Sequence, residues 1–531
     1  MCGLLVYSGD ATQLHDFQTV FSQLRHRGPD DSEILKVDGG KATFGFHRLA
    51  IMDPTQKGNQ PFEDDSTGNV IVCNGEVYNY EELKSLYDKS YHFKSSSDCE
   101  VIVPMFQELG IARLCQQLDA EFAVVIWDRQ KQKLVAGRDP IGIRPLFYGY
   151  TAEHKIMFAS EAKVLTPFCK KVENFPPGYY FDGEKFEPYI DLTTIAHYSS
   201  KSLESHLTDI REKLVEGVRK RLTADVPVGF LLSGGLDSSL VCAIANDILK
   251  KPITTFSVGL DHNPIDIYYA RTVAEYIKSN HSEVYFNKED TLNVLDQLIW
   301  HLETWDITSI RASIGMYLVC KHIREKTNIK VVLTGEISDE LFGYKYTDFA
   351  PNPEAFQKEA KKRVDELFMY DVLRADRCIA ANSLEARVPF GDLDFVRTVM
   401  EINPEFKVNT TGMGKWILRK AFDGTKLLPD SILWREKAAF SDAVGHSMVD
   451  YLKEYAESKY SEKDVALAKE KYTHGTPFTK ESLLYRDIFE KHFKGQSHLI
   501  KDFWMPNKEW SNCNVADPSA RVLPNYGKSG V

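Results

Sequence analysis

The apolar run Val228-Gly229-Phe230-Leu231-Leu232 passes straight into Ser233-Gly234-Gly235-Leu236-Asp237-Ser238-Ser239 and on into Leu240-Val241-Cys242-Ala243-Ile244-Ala245. A short apolar run, a glycine turn and a second apolar run read as strand, turn and helix. A strand joined to a helix this tightly belongs in a parallel α/β sheet and leaves the free N–H groups of the first helical turn at the strand end. Gly234 and Gly235 let the backbone approach an anion closely, and the helix N-terminus favours negative charge there. The stretch reads as a phosphate cradle. The common nucleotide loop carries a lysine for the β- and γ-phosphates, whereas here Asp237 stands inside the cradle. A carboxylate beside phosphates calls for a divalent cation, and Mg2+ bridges one or two carboxylates to a polyphosphate, so Asp237 is a candidate Mg2+ ligand.

The surrounding sequence extends this pattern. Helix to residue 221, strands at 229–232, 254–258 and 283–286, helices at 268–277, 292–302 and 314–324, and a strand at 330–333 predict a doubly wound parallel-sheet unit, mostly helical beyond 349. The strand 330–333 ends in Thr334-Gly335-Glu336-Ile337-Ser338-Asp339-Glu340, which repeats the local form of the cradle. Ligands bind where such strands end, and Asp339 becomes the second candidate metal ligand. The tail from 503 reads as irregular and partly mobile. Ser233 to Ser239 resembles the pyrophosphate loop of enzymes that split ATP between its α- and β-phosphates.

The first half differs in texture. Strand-like runs at 3–7, 42–51, 70–73, 122–127, 133–136, 146–150 and 156–159, with helices at 14–25, 81–88 and 99–109, predict a layered α/β/β/α unit. Polar residues from 190 to 205 suggest a linker, giving domains at 1–190 and 206–531 joined by 191–205. Cys2 is the informative residue here, because removal of Met1 would unite a thiol and an α-amine, with pKa values near ~8.5 and ~8, on one residue. The cysteines, nine in all with no CxxC pair, suit a reduced cytoplasmic protein. A net charge of −11 over 531 residues argues against a nucleic-acid partner. No apolar run approaches ~18 residues and the start has no basic leader, so neither membrane nor export is expected.

Four segments follow Cys2: Arg25-His26-Arg27-Gly28-Pro29-Asp30, Phe46-His47-Arg48-Leu49-Ala50-Ile51, Asn74-Gly75-Glu76-Val77-Tyr78-Asn79 and the stretch from Gly137 to Leu146. Together they resemble a class II glutamine amidotransferase domain over roughly the first 190 residues. The resemblance implies that the Cys2 thiolate attacks the glutamine side-chain amide and that Asn74 and Gly75 form the oxyanion hole. It also implies that Arg48 grips the glutamine carboxylate as a bidentate fork, while Leu49, Ala50, Ile51, Met52, Glu76 and Asp98 complete the glutamine pocket.

Over nearly the whole chain the resemblance is to the glutamine-hydrolysing asparagine synthetase family, through Leu302 to Ser313, Leu384-Glu385-Ala386-Arg387-Val388-Pro389-Phe390 and the tail segments Phe503 to Pro506 and Asp517 to Arg521. That family amidates aspartate through β-aspartyl-AMP, with ammonia travelling internally from the first site. It implies that Leu232, Val258 and Gly335 hold ATP's adenosine through backbone contacts, that Ser233, Gly235, Asp237, Ser238 and Ser239 hold its pyrophosphate, and that Leu231, Gly234 and Thr334 belong to the same ATP site. Mg2+ would sit on Asp237 and Asp339. Glu336 would face the acyl centre, Thr308 and Arg311 would stabilise the adenylate, and Lys437 would hold phosphates. A homodimer is implied as well.

The chain departs from the family pattern at Ser96, Ile337 and Gly391, and one residue is missing after Glu340. Ile337 stands where relatives carry glycine. A β-branched residue resists positive φ, so Ile337 is expected at negative φ, crowding an intact aspartate pocket. Positive φ, or Glu336 turned away from Asp237 and Asp339, would instead favour an inactive scaffold. A β-lactam-synthetase-like enzyme is the other alternative, disfavoured by Cys2 with Asn74, Arg48 and Asp98.

Overall fold

The computed structural model describes residues 1–262, 264–436 and 446–526. The chain divides into two compact units: Met1–Asp191 with Ala224–Pro227 and Ile379–Glu385, and the remainder from Leu192 onward. The two short returns to the first unit carry no local signal in the sequence. No described helix is long and apolar enough to cross a membrane.

Two six-stranded antiparallel sheets build the first unit. One runs Val172–Asn174, Phe147–Tyr150, Ile156–Ala159, Gly3–Tyr7, Ala42–Arg48, Asp31–Val37; the other runs Phe186–Pro188, Tyr179–Phe181, Lys133–Arg138, Ala120–Asp128, Val70–Val77, Phe62–Glu63. Leu4, Val6, Phe44 and Phe46 of the first sheet share a buried cluster with Val70, Val72, Val125 and Ala136 of the second, so the sheets lie face to face. The second sheet's other face, with Phe122 and Val124, packs on Leu83 and Met105 of the helices Tyr80–Tyr87 and Ile102–Gln117. Every residue of Ala120–Asp128 is buried, which is why its sequence lacks the polar alternation of a one-sided strand.

Several boundaries differ from the sequence reading. The helix at 14–25 shortens to Phe17–Ser22, because Asp16 at φ 59° starts it late and a 3-10 turn at Arg25–Arg27 replaces its end. The helix at 99–109 begins at Ile102 after the 3-10 turn Asp98–Val101 and reaches Gln117, broken at Gly110, φ 68°. Asp31–Val37 was not expected as a strand; four of its seven residues are exposed, so its sequence reads as polar.

A five-stranded sheet organises the second unit, in the order Asn280–Phe286, Thr254–Leu260, Val228–Leu231, Val331–Leu333, Glu385–Arg387. Val228–Leu231 pairs in parallel with Thr254–Leu260 on one side and Val331–Leu333 on the other. The winding therefore reverses between Val228–Leu231 and Val331–Leu333, and the crevice at such a reversal is where α/β sheets bind ligands. Both acidic turns lie there. The helix at 314–324 is longer, Ile307–Lys326, because Asp306 caps it by accepting from Ser309 N. The segment 292–302 is two helices, Lys288–Asn293 and Leu295–Leu302, and the helix Leu203–Lys220 starts inside the expected linker.

The tail is irregular but not loose, which corrects the expectation of mobility for its described part. Trp504 N donates to Asp306 Oδ1 at 2.7 Å, Arg363 donates to Met505 O at 2.6 Å, and Trp510 and Cys513 are buried with Tyr346. Gly391 lies buried in the 3-10 turn Pro389–Gly391.

Candidate active site

In the first unit the strand Val70–Val77 carries Asn74 to the start of the chain. Cys2 N donates to Asn74 Oδ1 at 2.7 Å, and the Cys2 thiol approaches Leu49 O at 4.0 Å. Asn74 is fully buried, and its Nδ2 has no partner among the described residues. An unpartnered buried amide costs about 1–3 kcal/mol, so this donor is held ready for an incoming oxygen. A Cβ at Gly75 would meet Glu121 O at 2.6 Å, so only glycine lets the backbone N–H beside Asn74 lie this close to the neighbouring strand. The Met1 ammonium is paired with Glu385 at 2.9 Å, out of solvent. Burial pushes the Cys2 thiol up, against the pull of that ammonium, of a Leu49 backbone hydrogen bond and of Arg48.

Arg48 is 4% exposed and its fork is already engaged. Nη1 donates to Thr55 O and Asn59 Oδ1 and Nη2 to Met52 O and Asp53 O, at 2.5–3.0 Å. In this arrangement Arg48 fixes the loop after Leu49, and the terminal nitrogens of the expected bidentate fork are taken. Ala50 N donates to Asp30 Oδ2. Asp53 accepts from Ser96 N at 2.8 Å, tying the loop of Leu49–Met52 to the segment that carries Asp98, while Asp98 Oδ2 accepts from Val77 N beside Glu76. Asp53 was not singled out by sequence; Ser96 was, and its backbone serves this link.

In the second unit one cavity gathers Leu231, Leu232, Ser233, Gly235, Asp237, Ser238, Val258, Thr308, Arg311, Thr334, Gly335, Glu336 and Asp339, all expected from sequence. Gly234, at φ 72°, backs the cradle instead: a Cβ there would lie 2.4 Å from Ala270 N. Ser239 lies beneath it, fully buried. Ser233 and Ser238 hydroxyls bond each other at 2.9 Å. The two acidic turns touch backbone to backbone, since a Cβ on Gly335 would meet Ser238 N at 2.7 Å. Lys437 lies outside the described residues.

Charge is balanced by cations that the sequence did not single out. Lys415 Nζ donates to Asp237 Oδ1 at 2.8 Å and Ser338 Oγ at 2.9 Å and pairs with Asp339 Oδ1 at 2.5 Å. Arg435 lies 3.5 Å over the Tyr269 ring and donates to Gly234 O, clamping the back of the cradle. Burial lowers the Arg419 pKa to about 10, against the pull of nearby Asp237. All three line the cavity, as fits a site for a polyanion.

One expectation at the acyl end is corrected. Ile337 has φ 81° and ψ −22°, not negative φ, with its side chain 1% exposed. Glu336, however, still lines the cavity with Asp237 and Asp339, so of the two marks of an inactive scaffold only the backbone one is present. Arg311 lines the cavity and is held there by a double contact with Glu481 at 2.5 and 2.8 Å and a pairing with Asp517 at 2.9 Å, which also pins the tail. Glu340 is pushed well above the usual carboxylate range by burial and by Asp371, Asp339 and Glu336.

Among the described residues no three His, Cys, Asp or Glu side chains cluster as a metal site. Asp237 Oδ1 and Asp339 Oδ1 nevertheless converge on one cation position, that of Lys415 Nζ, and a pair of carboxylates completed by phosphate oxygens is what Mg2+ uses with nucleotides. The residues fit that ion.

A half-buried cysteine at the chain start beside an unpartnered amide, on a two-sheet layered unit, and a glycine cradle at the switch point of a parallel sheet define a two-unit glutamine amidotransferase. Residues 1–192 match a glutamine amidotransferase domain, and residues 209–360 and 348–517 match asparagine synthase. The chain is 40% identical to a probable glutamine-hydrolysing asparagine synthetase of Acanthamoeba polyphaga mimivirus, covering 99% of this chain and 100% of that one. It is 39% identical to the asparagine synthetase of Cricetulus griseus, over 99% of both, and 38% identical to that of Homo sapiens, over 100% of both. A solved glutamine phosphoribosylpyrophosphate amidotransferase from B. subtilis, complexed with ADP and GMP, aligns with 54% of this chain and 66% of its own at 16% identity and a TM-score of 0.31, which adds nothing to the sequence matches. The chain belongs to the glutamine-hydrolysing asparagine synthetase family.

Proposed function

We propose that the chain makes L-asparagine from L-aspartate, ATP and L-glutamine, or ammonia, through β-aspartyl-AMP, releasing AMP, pyrophosphate and glutamate. The observation that carries this reading is the match along the full length of asparagine synthetases, with the cysteine, the amide and both acidic turns in place.

With Met1 removed, the Cys2 nitrogen that donates to Asn74 Oδ1 becomes an α-amine fixed beside the thiol and able to take its proton. The thiolate attacks the glutamine side-chain carbonyl, Asn74 Nδ2 and the Gly75 N–H receive the oxyanion, and the carbon–nitrogen bond breaks to give ammonia and a thioester that water hydrolyses to glutamate. Arg48, Leu49–Met52, Glu76 and Asp98 wall the glutamine.

At the second site the aspartate β-carboxylate attacks the α-phosphorus of ATP and pyrophosphate leaves; ammonia then attacks the acyl carbon and AMP leaves. Ser233, Gly235 and Ser238 hold the pyrophosphate, with Lys415, Arg419 and Arg435 as counter-charges, and Lys437 is proposed as a further one. Asp237 and Asp339 would hold Mg2+, which when bound supplies charge that stabilises the departing pyrophosphate. Glu336 orients the acceptor or takes a proton from ammonia. A cytoplasmic setting, a homodimer and no nucleic-acid partner are part of the proposal, and the described cysteines are all free thiols.

The test is product analysis with aspartate, ATP and either glutamine or ammonium. Asparagine, AMP and pyrophosphate are expected from both nitrogen sources. ADP and phosphate would place attack at the γ-phosphorus and refute the reading.

A further inference from the structure

Arg374 stands on the helix Asp371–Ala380, 7% exposed, with its side chain in the wall of the nucleotide cavity. Its Nη2 donates to Glu336 Oε2 at 2.5 Å and to Asp371 Oδ1 at 2.8 Å. Its Nε is buried and has no partner among the described residues. Thr308 Oγ1, in the first turn of Ile307–Lys326 and in the same wall, is a second buried polar atom without a partner. Buried donors are left unmatched at a cost of about 1–3 kcal/mol each, so two on residues of one cavity wall suit a ligand that brings oxygens to that wall. Arg311 does not compete for that ligand, being held by Glu481 and Asp517.

The chemistry of this end is that of an α-amino acid head. A guanidinium offering an N–H edge and a hydroxyl suit a carboxylate, and the adjacent Glu336 and Asp371 suit an ammonium. The distance to the cradle is short along the chain: Ser338, two residues after Glu336, donates to Asp237 Oδ1 at 2.7 Å. An amino acid held by its head here presents its side-chain acid toward the phosphate end.

We propose that Arg374 and Thr308 form the subsite for the α-carboxylate of the acceptor amino acid, with Glu336 and Asp371 facing its α-ammonium. This rests on the reaction proposed above.

β-Alanine is aspartate without its α-carboxylate, and it separates recognition from folding. With ammonium as nitrogen source, kcat/KM for AMP formation is measured with aspartate and with β-alanine. The wild type is expected to prefer aspartate by about 10³-fold or more, since a site built around polar groups rejects a ligand that leaves them unmatched. In Arg374→Ala the aspartate value should fall about 10²-fold while the β-alanine value stays within about threefold, so the preference collapses. Arg374→Lys keeps a cation beside Glu336 and Asp371 but has no N–H at the ε position, and the preference should fall about tenfold. Glutamine hydrolysis by the first unit and thermal unfolding report whether each variant is folded; if the alanine variant is not, the lysine variant decides by the same ratio. Equal loss with both substrates, or an unmoved ratio, assigns Arg374 a structural role and overturns the subsite. A wild type that forms no AMP with aspartate overturns the proposed reaction and the subsite with it, so the two failures are told apart.

Discussion

Lys415 donates to Asp237 Oδ1 across 2.8 Å from a position 178 residues along the chain, so the aspartate inside the phosphate cradle already holds a cation of the protein's own. The same ammonium pairs with Asp339, and its side chain is 2% exposed. Without it two carboxylates would face each other, and removing one partner of a buried pair costs about 3–5 kcal/mol. Asp339 is 31% exposed, which places the cost at the low end. Lys415→Met is therefore expected to unfold at lower temperature in chelator and to regain more stability than the wild type on addition of Mg2+. An equal Mg2+ response in both proteins would show that ion and ammonium do not share the carboxylates.

The first site predicts a split between nitrogen sources. Cys2→Ala should abolish glutamine-dependent asparagine formation and leave ammonium-dependent formation intact. Asn74→Ala, which removes the buried Nδ2, should slow glutamine hydrolysis about 10²–10³-fold, again sparing ammonium. Loss of both activities in Cys2→Ala would refute the assignment of separate sites.

What was legible in the sequence follows the range of the interactions. The cradle and the turn after residue 333 are readable because strand, glycine and carboxylate are neighbours along the chain, and so is the pairing of Cys2 with Asn74 once the family is seen. Lys415, Arg419, Arg435 and Arg374 are four among 65 Lys and Arg residues, and no local pattern marks them; only the fold brings them to Asp237, Gly234 and Glu336. The partners of Arg311 were out of reach for the same reason, since its acids, Glu481 and Asp517, come from 170 and 206 residues away.

Lys407 sets a pH dependence. It is 3% exposed, donating to Gln357 Oε1 and Val399 O, and burial lowers its pKa to about 7. An unfolded lysine titrates near ~10.4, so below pH ~7 both states carry the proton and this penalty is constant. Between pH ~7 and ~10.4 the unfolded chain holds a proton that the folded one has lost, and stability rises with pH. Lys407→Met lacks that rise. The stability of the variant relative to wild type, measured by denaturant titration, should therefore fall by a few kcal/mol, about 1.4 per pKa unit, from pH 7 to pH 10. Parallel curves would mean that Lys407 stays charged when folded.

Ile337 combines two opposing terms in one residue. Its φ of 81° stores about 1–3 kcal/mol in a β-branched residue, while its side chain, 1% exposed, gains about 1.5–3 kcal/mol from burial. Glycine removes both terms, so Ile337→Gly should lie within about 1 kcal/mol of wild type. Alanine loses most of the burial and keeps part of the strain, so Ile337→Ala should be the less stable of the two. At a position of ordinary φ the order is reversed, with alanine ahead of glycine by about 0.4–1 kcal/mol, which makes the ranking a direct test of the backbone. Ile337 also lines the cavity between Glu336 and Asp339, and glycine there opens the acyl end. Ile337→Gly is expected to lower the KM for aspartate and to leave glutamine hydrolysis unchanged, as measured by steady-state kinetics beside the unfolding curves. Alanine more stable than glycine would refute the strain, and an unchanged aspartate KM would remove Ile337 from the substrate wall.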